Sequence, residues 1–159
     1  MSESAPPSVI NRIRLFKDTD QRTPLLLPGS PFAVGLKATL ISIDAQARGI
    51  RVSFTPGIEY VAARGTLQGG AVATMLDLTM AFMALALIPE DRSTSTANLN
   101  ISYLKPAFPG PMIGEGEVER LGRSMIFLRA RLVPEGGDAV ASATGVFAIF
   151  ERKPSGLPA

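Results

Sequence analysis

Residues 93–103 alternate with a period of two: Ala97, Leu99, Ile101 and Tyr103 fall on one side, and Thr94, Thr96, Asn98, Asn100 and Ser102 on the other. That alternation predicts a strand with one covered face. The same pattern puts strands over 32–43 and 48–54, joined as a hairpin through Asp44-Ala45-Gln46-Ala47. A weaker strand over 113–121 turns Glu115, Glu117 and Glu119 to water. Over 123–133, Ser124, Ile126, Leu128, Ala130 and Leu132 lie opposite Arg123, Arg129 and Arg131. The last strand, 139–150, is small and apolar on both faces, which predicts an interior place in the sheet.

Residues 71–88 (AVATMLDLTMAFMALALI) read differently. They are rich in Ala, Leu and Met, polar only at Thr74, Asp77 and Thr79, and stopped by Pro89. This predicts a helix buried nearly all round. Its length raises a bilayer span, which takes about 20 apolar residues. Against that, a central Asp costs about 2.5–3.5 kcal/mol in a membrane, no basic anchor flanks the segment, and the rest of the chain alternates like a soluble sheet. Two strands, one helix and four strands predict an α+β domain, a curved antiparallel sheet of about six strands wrapped around one long buried helix. A single sheet hides such a helix on every side only with a partner, so a homodimer is expected. The domain spans 32–151, after a proline-rich arm (1–31) with a short helix over 9–16, and before a tail (152–159).

Composition narrows the chemistry sharply. The 159 residues contain no His, no Cys and no Trp. Thiol nucleophiles, disulfides, Cys/His metal sites and every His-dependent triad are therefore excluded. A net charge of +2 from 16 basic and 14 acidic residues is not concentrated in a basic stripe, so no nucleic-acid partner is expected. The first seven residues are polar and Leu25-Leu26-Leu27 is too short for a signal-peptide core, which places the protein in the cytoplasm by expectation.

The chemistry left to the chain converges on one stretch. Asp77 sits inside the apolar helix, where a carboxylate is costly unless paired or hydrogen-bonded. It is either a core partner of Arg, Ser or Thr, or a nucleophile or general base set by a dry surrounding. Gln68-Gly69-Gly70 precedes the helix, so free N–H groups and the positive end of the dipole project from its first turn, a ready site for an oxyanion. Alone, the glycine pair would be an ordinary loop.

Gly65-Thr66-Leu67-Gln68-Gly69-Gly70, the helix carrying Asp77, Asn100-Ile101-Ser102-Tyr103-Leu104-Lys105-Pro106-Ala107, Gly110, Gly122-Arg123 and the 139–147 strand resemble, in order, the phenylacetate-pathway (PaaI-like) type of hotdog-fold acyl-CoA thioesterases. The resemblance covers about residues 32–150. It implies that Asp77 is the catalytic carboxylate and that the Gly69 N–H polarises the thioester carbonyl. It further implies that Thr96, from a partner subunit's strand, helps hold the attacking water. It implies acyl-CoA as substrate, with no cofactor or metal beyond the CoA of the substrate, and a homodimer paired into a tetramer. Gln68 stands where the family has His, and Ala62 where some members have Asn; Gln68 can donate through its amide but cannot titrate. Gly70, Lys105 and Arg123 are the candidate substrate contacts within these motifs, with Arg120, Arg129 and Arg131 as further cations for the CoA phosphates. The alternative reading is a non-catalytic acyl-CoA-binding or regulatory module.

Overall fold

The computed structural model describes residues 9–19, 25–26 and 30–152. Most of the tail and parts of the arm lie outside these residues. The chain runs α1 (Val9–Asp18), β1 (Leu25–Leu26), α2 (Pro31–Gly35), β2 (Thr39–Asp44), β3 (Gly49–Phe54), a 3-10 turn (Ile58–Tyr60), α3 (Gly69–Leu87), β4 (Arg92–Tyr103), β5 (Met112–Leu121), β6 (Met125–Pro134) and β7 (Ala141–Glu151). All strands join one antiparallel sheet in the order β1-β2-β3-β5-β6-β7-β4. This is the hotdog arrangement: six substantial strands around one long helix, with the two-residue β1 added at an edge.

The strand expected over 32–43 begins only at Thr39. Ahead of it Ser30 caps α2, its Oγ accepting from the Ala33 N–H at 3.5 Å, and Pro31 occupies the first helical turn. Pro at that position is pre-set for a helix, and this local start outweighs the β character of Phe32 and Val34, which stay exposed. The 44–47 connection forms as expected: the Asp44 carboxylate accepts from the N–H groups of Gln46 and Ala47 at 3.0 and 2.8 Å, an Asx turn.

α3 lies on the sheet through Met75, Leu76, Met80 and Met83, all fully buried. The sheet makes room for it at glycines. A Cβ on Gly114 would lie 2.1 Å from Thr79 Oγ1, and one on Gly145 would lie 3.1 Å from Met80 Sδ. The helix is not covered on every side. Ala73, Thr74, Asp77, Leu78, Ala81 and Leu85 form a half-exposed stripe along it, because the sheet and α1 reach only the remainder.

α1 closes the far end of α3. Buried Arg14 donates through Nη2 at 3.1 Å to the carbonyl of Ile88, the C-cap residue that the helix end leaves open, and at 2.7 Å to the carbonyl of Pro89, which also accepts from the Arg92 N–H. Burial lowers the pKa of its guanidinium, with Glu90 opposing. Arg14→Ala removes charge-assisted bonds worth about 1.5–3 kcal/mol and should lower the melting temperature by roughly 3–12 °C. Arg14→Met, which keeps the packed stem, should lose less, since Nε and Nη1 find no partner among the described residues. An unchanged melting temperature in Arg14→Ala would mean that the cap contributes nothing.

Candidate active site

Asp77 projects from the half-exposed stripe of α3 toward β4, and Thr96 Oγ1 donates to its Oδ1 at 2.8 Å. Burial pushes the Asp77 carboxyl above its ordinary 3.8, and the Thr96 hydrogen bond pulls the other way without cancelling it. The contact depends on a backbone irregularity. Thr96 pairs with Phe147 and Asn98 with Val146, so Ala97 is an extra residue in the ladder. Strict alternation would have left Thr96 on the face away from Leu99, Ile101 and Tyr103. The bulge swings it onto the helix side, a use of bulges common beside functional sites. Within the chain the Thr96 hydroxyl thus meets the Asp77 carboxylate of its own chain's helix.

The helix start is open. Gln68 is the N-cap residue, yet its side chain makes no capping bond; its carbonyl accepts from the N–H groups of Ala71 and Val72, and its own N–H donates to Tyr60 O at 2.8 Å. The N–H groups of Gly69 and Gly70 head the helix at an exposed surface, where they and the helix dipole favour negative charge. Beside them an open cleft of about 510 Å³ is lined by Arg64, Gly69, Val72, Tyr103, Lys105 and Pro106, among others. Within one chain this half of the site is separate from the other. Gly69 and Asp77 stand eight positions apart in α3, about 12 Å along the axis.

The candidate cations divide by position. Lys105 borders the Gly69 cleft but is held at 2.6 Å by Asp138, whose carboxyl it keeps below the ordinary range. Arg123 lies in the β5–β6 turn, near the end of the sheet where Met125, Ala148 and Ser95 align, whereas Leu132, Ala141 and Tyr103 align at the Gly69 end. Arg129 and Arg131 pair with Glu117 and Glu115 on the sheet face opposite α3. That face bears a larger groove, about 680 Å³, but neither Asp77 nor Gly69 lines it. Size therefore does not mark the site; the carboxylate and the open helix start do. Two cleft residues escaped the sequence reading. Arg64 carried no local signal, and Tyr103 stood inside a recognised motif without a role.

The profile of the thioesterase superfamily matches residues 64–141, which contain the helix start, Asp77 and Thr96. A Saccharolobus solfataricus protein named as an esterase is 30% identical over 95 residues, 60% of this chain and 67% of that protein. The chain belongs to the thioesterase superfamily. Among solved structures, a phenylacetic acid degradation-related protein of Ralstonia eutropha JMP134 is 30% identical, with a TM-score of 0.73 over 76% of this chain and 91% of that one. A Bacillus halodurans protein crystallised with CoA is 27% identical, with a TM-score of 0.61 over 63% of this chain and 66% of that one. The hotdog fold and the PaaI-like resemblance both hold for this superfamily member.

Proposed function

We propose that this thioesterase-superfamily protein hydrolyses acyl-CoA thioesters to free acid and CoA in a site shared by two copies of the chain. The observation that carries the reading is the half-buried carboxylate of Asp77, hydrogen-bonded by Thr96, on the same helix that opens with the free N–H groups of Gly69 and Gly70. The two groups cannot serve one carbonyl from the same chain, because reacting atoms must approach to about 3–3.5 Å and about 12 Å of helix separates them. Two chains related by a two-fold axis, with their α3 stripes side by side, would bring Gly69 of one to Asp77 of the other. The half-exposed stripe and the outer edge of β4, unpaired among the described residues, support that association.

In this arrangement the Gly69 N–H, with the Gly70 N–H and the Gln68 amide beside it, stabilises the oxygen that becomes negative as the carbonyl is attacked. Asp77 takes a proton from water as the water oxygen bonds to the carbonyl carbon, and the C–S bond then breaks with the proton passing to the CoA thiolate. Alternatively the Asp77 carboxylate attacks, CoA leaves, and water hydrolyses the mixed anhydride. Lys105 from the copy that supplies Gly69 and Arg123 from the copy that supplies Asp77 are the proposed contacts to the CoA phosphates. The protein has no Cys, so thiol release can be followed with a disulfide reagent without background from the protein. Benzoyl-, phenylacetyl-, butyryl- and lauroyl-CoA should include at least one substrate, and the mass in solution should be twice 16.8 kDa or a higher even multiple. A folded protein that releases no CoA but binds acyl-CoA by calorimetry would instead be the non-catalytic module that Gln68 and Ala62 favour.

A further inference from the structure

The helix start that the hydrolase reading uses is built from residues poorly suited to hold still. Gly69 and Gly70 lose more freedom on ordering than any other residue type, and the Gln68 side chain does not cap them. Within the helix, Thr74 Oγ1 donates to Gly70 O at 2.9 Å. From the sheet, at the end of β4, the Tyr103 hydroxyl donates to Gly69 O at 2.9 Å. The tyrosine also lies over the Gly69 Cα: a Cβ there would meet its hydroxyl at 3.4 Å, Cζ at 3.5 Å and Cε1 at 3.6 Å. The side chain is not core, since Tyr103 is 56% exposed and borders the cleft with Arg64 and Lys105.

We propose that Tyr103 is a positioning residue for the oxyanion site: its hydroxyl and ring clamp the Gly69–Gly70 peptide so that the Gly70 N–H, beside the Gly69 N–H, stays aimed at the thioester carbonyl. The Gly69 carbonyl and the Gly70 N–H belong to one planar trans unit, so fixing the first fixes the direction of the second. Such aim matters because oxyanion stabilisation falls steeply when donors must reorganise during the reaction. The inference rests on the proposed hydrolysis, and one of its measurements does not depend on turnover.

The variant is Tyr103→Phe, which keeps the ring and removes only the hydroxyl. Amide exchange at Ala71, Val72 and Ala73 should accelerate about tenfold, the equivalent of one lost hydrogen bond near the helix start. With whichever acyl-CoA the wild type turns over, kcat should fall about tenfold while KM stays within about twofold, the split expected when a transition-state interaction is weakened. Unchanged exchange would overturn the clamp. Faster exchange with unchanged kcat in an active enzyme would remove its role in the reaction, and a loss confined to KM would make Tyr103 a direct substrate contact. Should the wild type release no CoA from any thioester tested, hydrolysis itself fails, while the exchange rates still decide whether Tyr103 holds the turn.

Discussion

Asp77→Asn should fold, keep an acceptor for the Thr96 hydroxyl, and lose at least about 100-fold in kcat/KM for CoA release, the scale of removing a general base or nucleophile. The change is nearly isosteric, so what disappears is the charge and the ability to take a proton or form an acyl bond. Thermal stability should move the other way at neutral pH. Burial raises the folded-state pKa of Asp77 above 3.8, so the folded protein binds the proton more tightly than the unfolded chain. Its contribution to stability is therefore greatest at low pH, declines as pH rises from about the unfolded value through the raised folded value, and is level above that. Asparagine carries no such penalty, so the variant should gain on wild type across this window and hold the gain at pH 7. Activity should show an acid limb at the raised pKa. Thr96→Val, which removes the bond favouring the carboxylate, should move that limb to higher pH. A variant that retains activity within about tenfold of wild type would remove Asp77 from the centre of the reaction.

The elements that dominate this site were legible because their signals are local. The apolar run of 71–88, the glycine pair before it and the lone carboxylate within it place a helix and its open start without knowledge of the sheet, and α3 runs over Gly69–Leu87. Strand identities were also legible, since Ile126, Leu128, Ala130 and Leu132 alternate into the core as the pattern predicts. What could not be read depends on pairing. Nothing in Thr96-Ala97-Asn98 announces a bulge, because the extra residue is defined by β7 opposite it, and so Thr96 read as facing away from the helix it serves. The neighbour of β4 is equally non-local: it follows α3 in sequence but pairs with the last strand at the sheet's edge. The role of Tyr103 needed the fold as well, since its partner Gly69 lies 34 positions away. The role of Gly114 and Gly116 in β5 also appears only with α3 in place, since a Cβ on either would meet Thr79.

Gly114→Ala should cost about 1–3 kcal/mol, the range for adding a methyl group to a packed core. The added Cβ would stand 2.1 Å from Thr79 Oγ1, 3.2 Å from Thr79 Cβ and 3.0 Å from Phe54 Cε2. Thr79 and Phe54 are fully buried, and the Thr79 hydroxyl is tied to Met75 O at 2.7 Å, so no neighbour is the free end of a flexible side chain. Relief requires α3 to lift from β5 or Thr79 to give up its rotamer and hydrogen bond. The melting temperature should fall by roughly 2–12 °C at the usual conversion for a chain of this size. Thr79→Ala in the Gly114→Ala background removes the oxygen in the worst contact and should recover part of the loss, giving a coupling energy of about 0.5–3 kcal/mol in a double-mutant cycle. If the two changes instead add independently, the glycine is not there to admit Thr79, and the close approach of helix to sheet needs another cause. The same lift would move Asp77, two residues before Thr79, relative to Thr96 on β4, so Gly114→Ala should also reduce turnover at temperatures where it remains folded, with the Thr79→Ala partner restoring activity in step with stability.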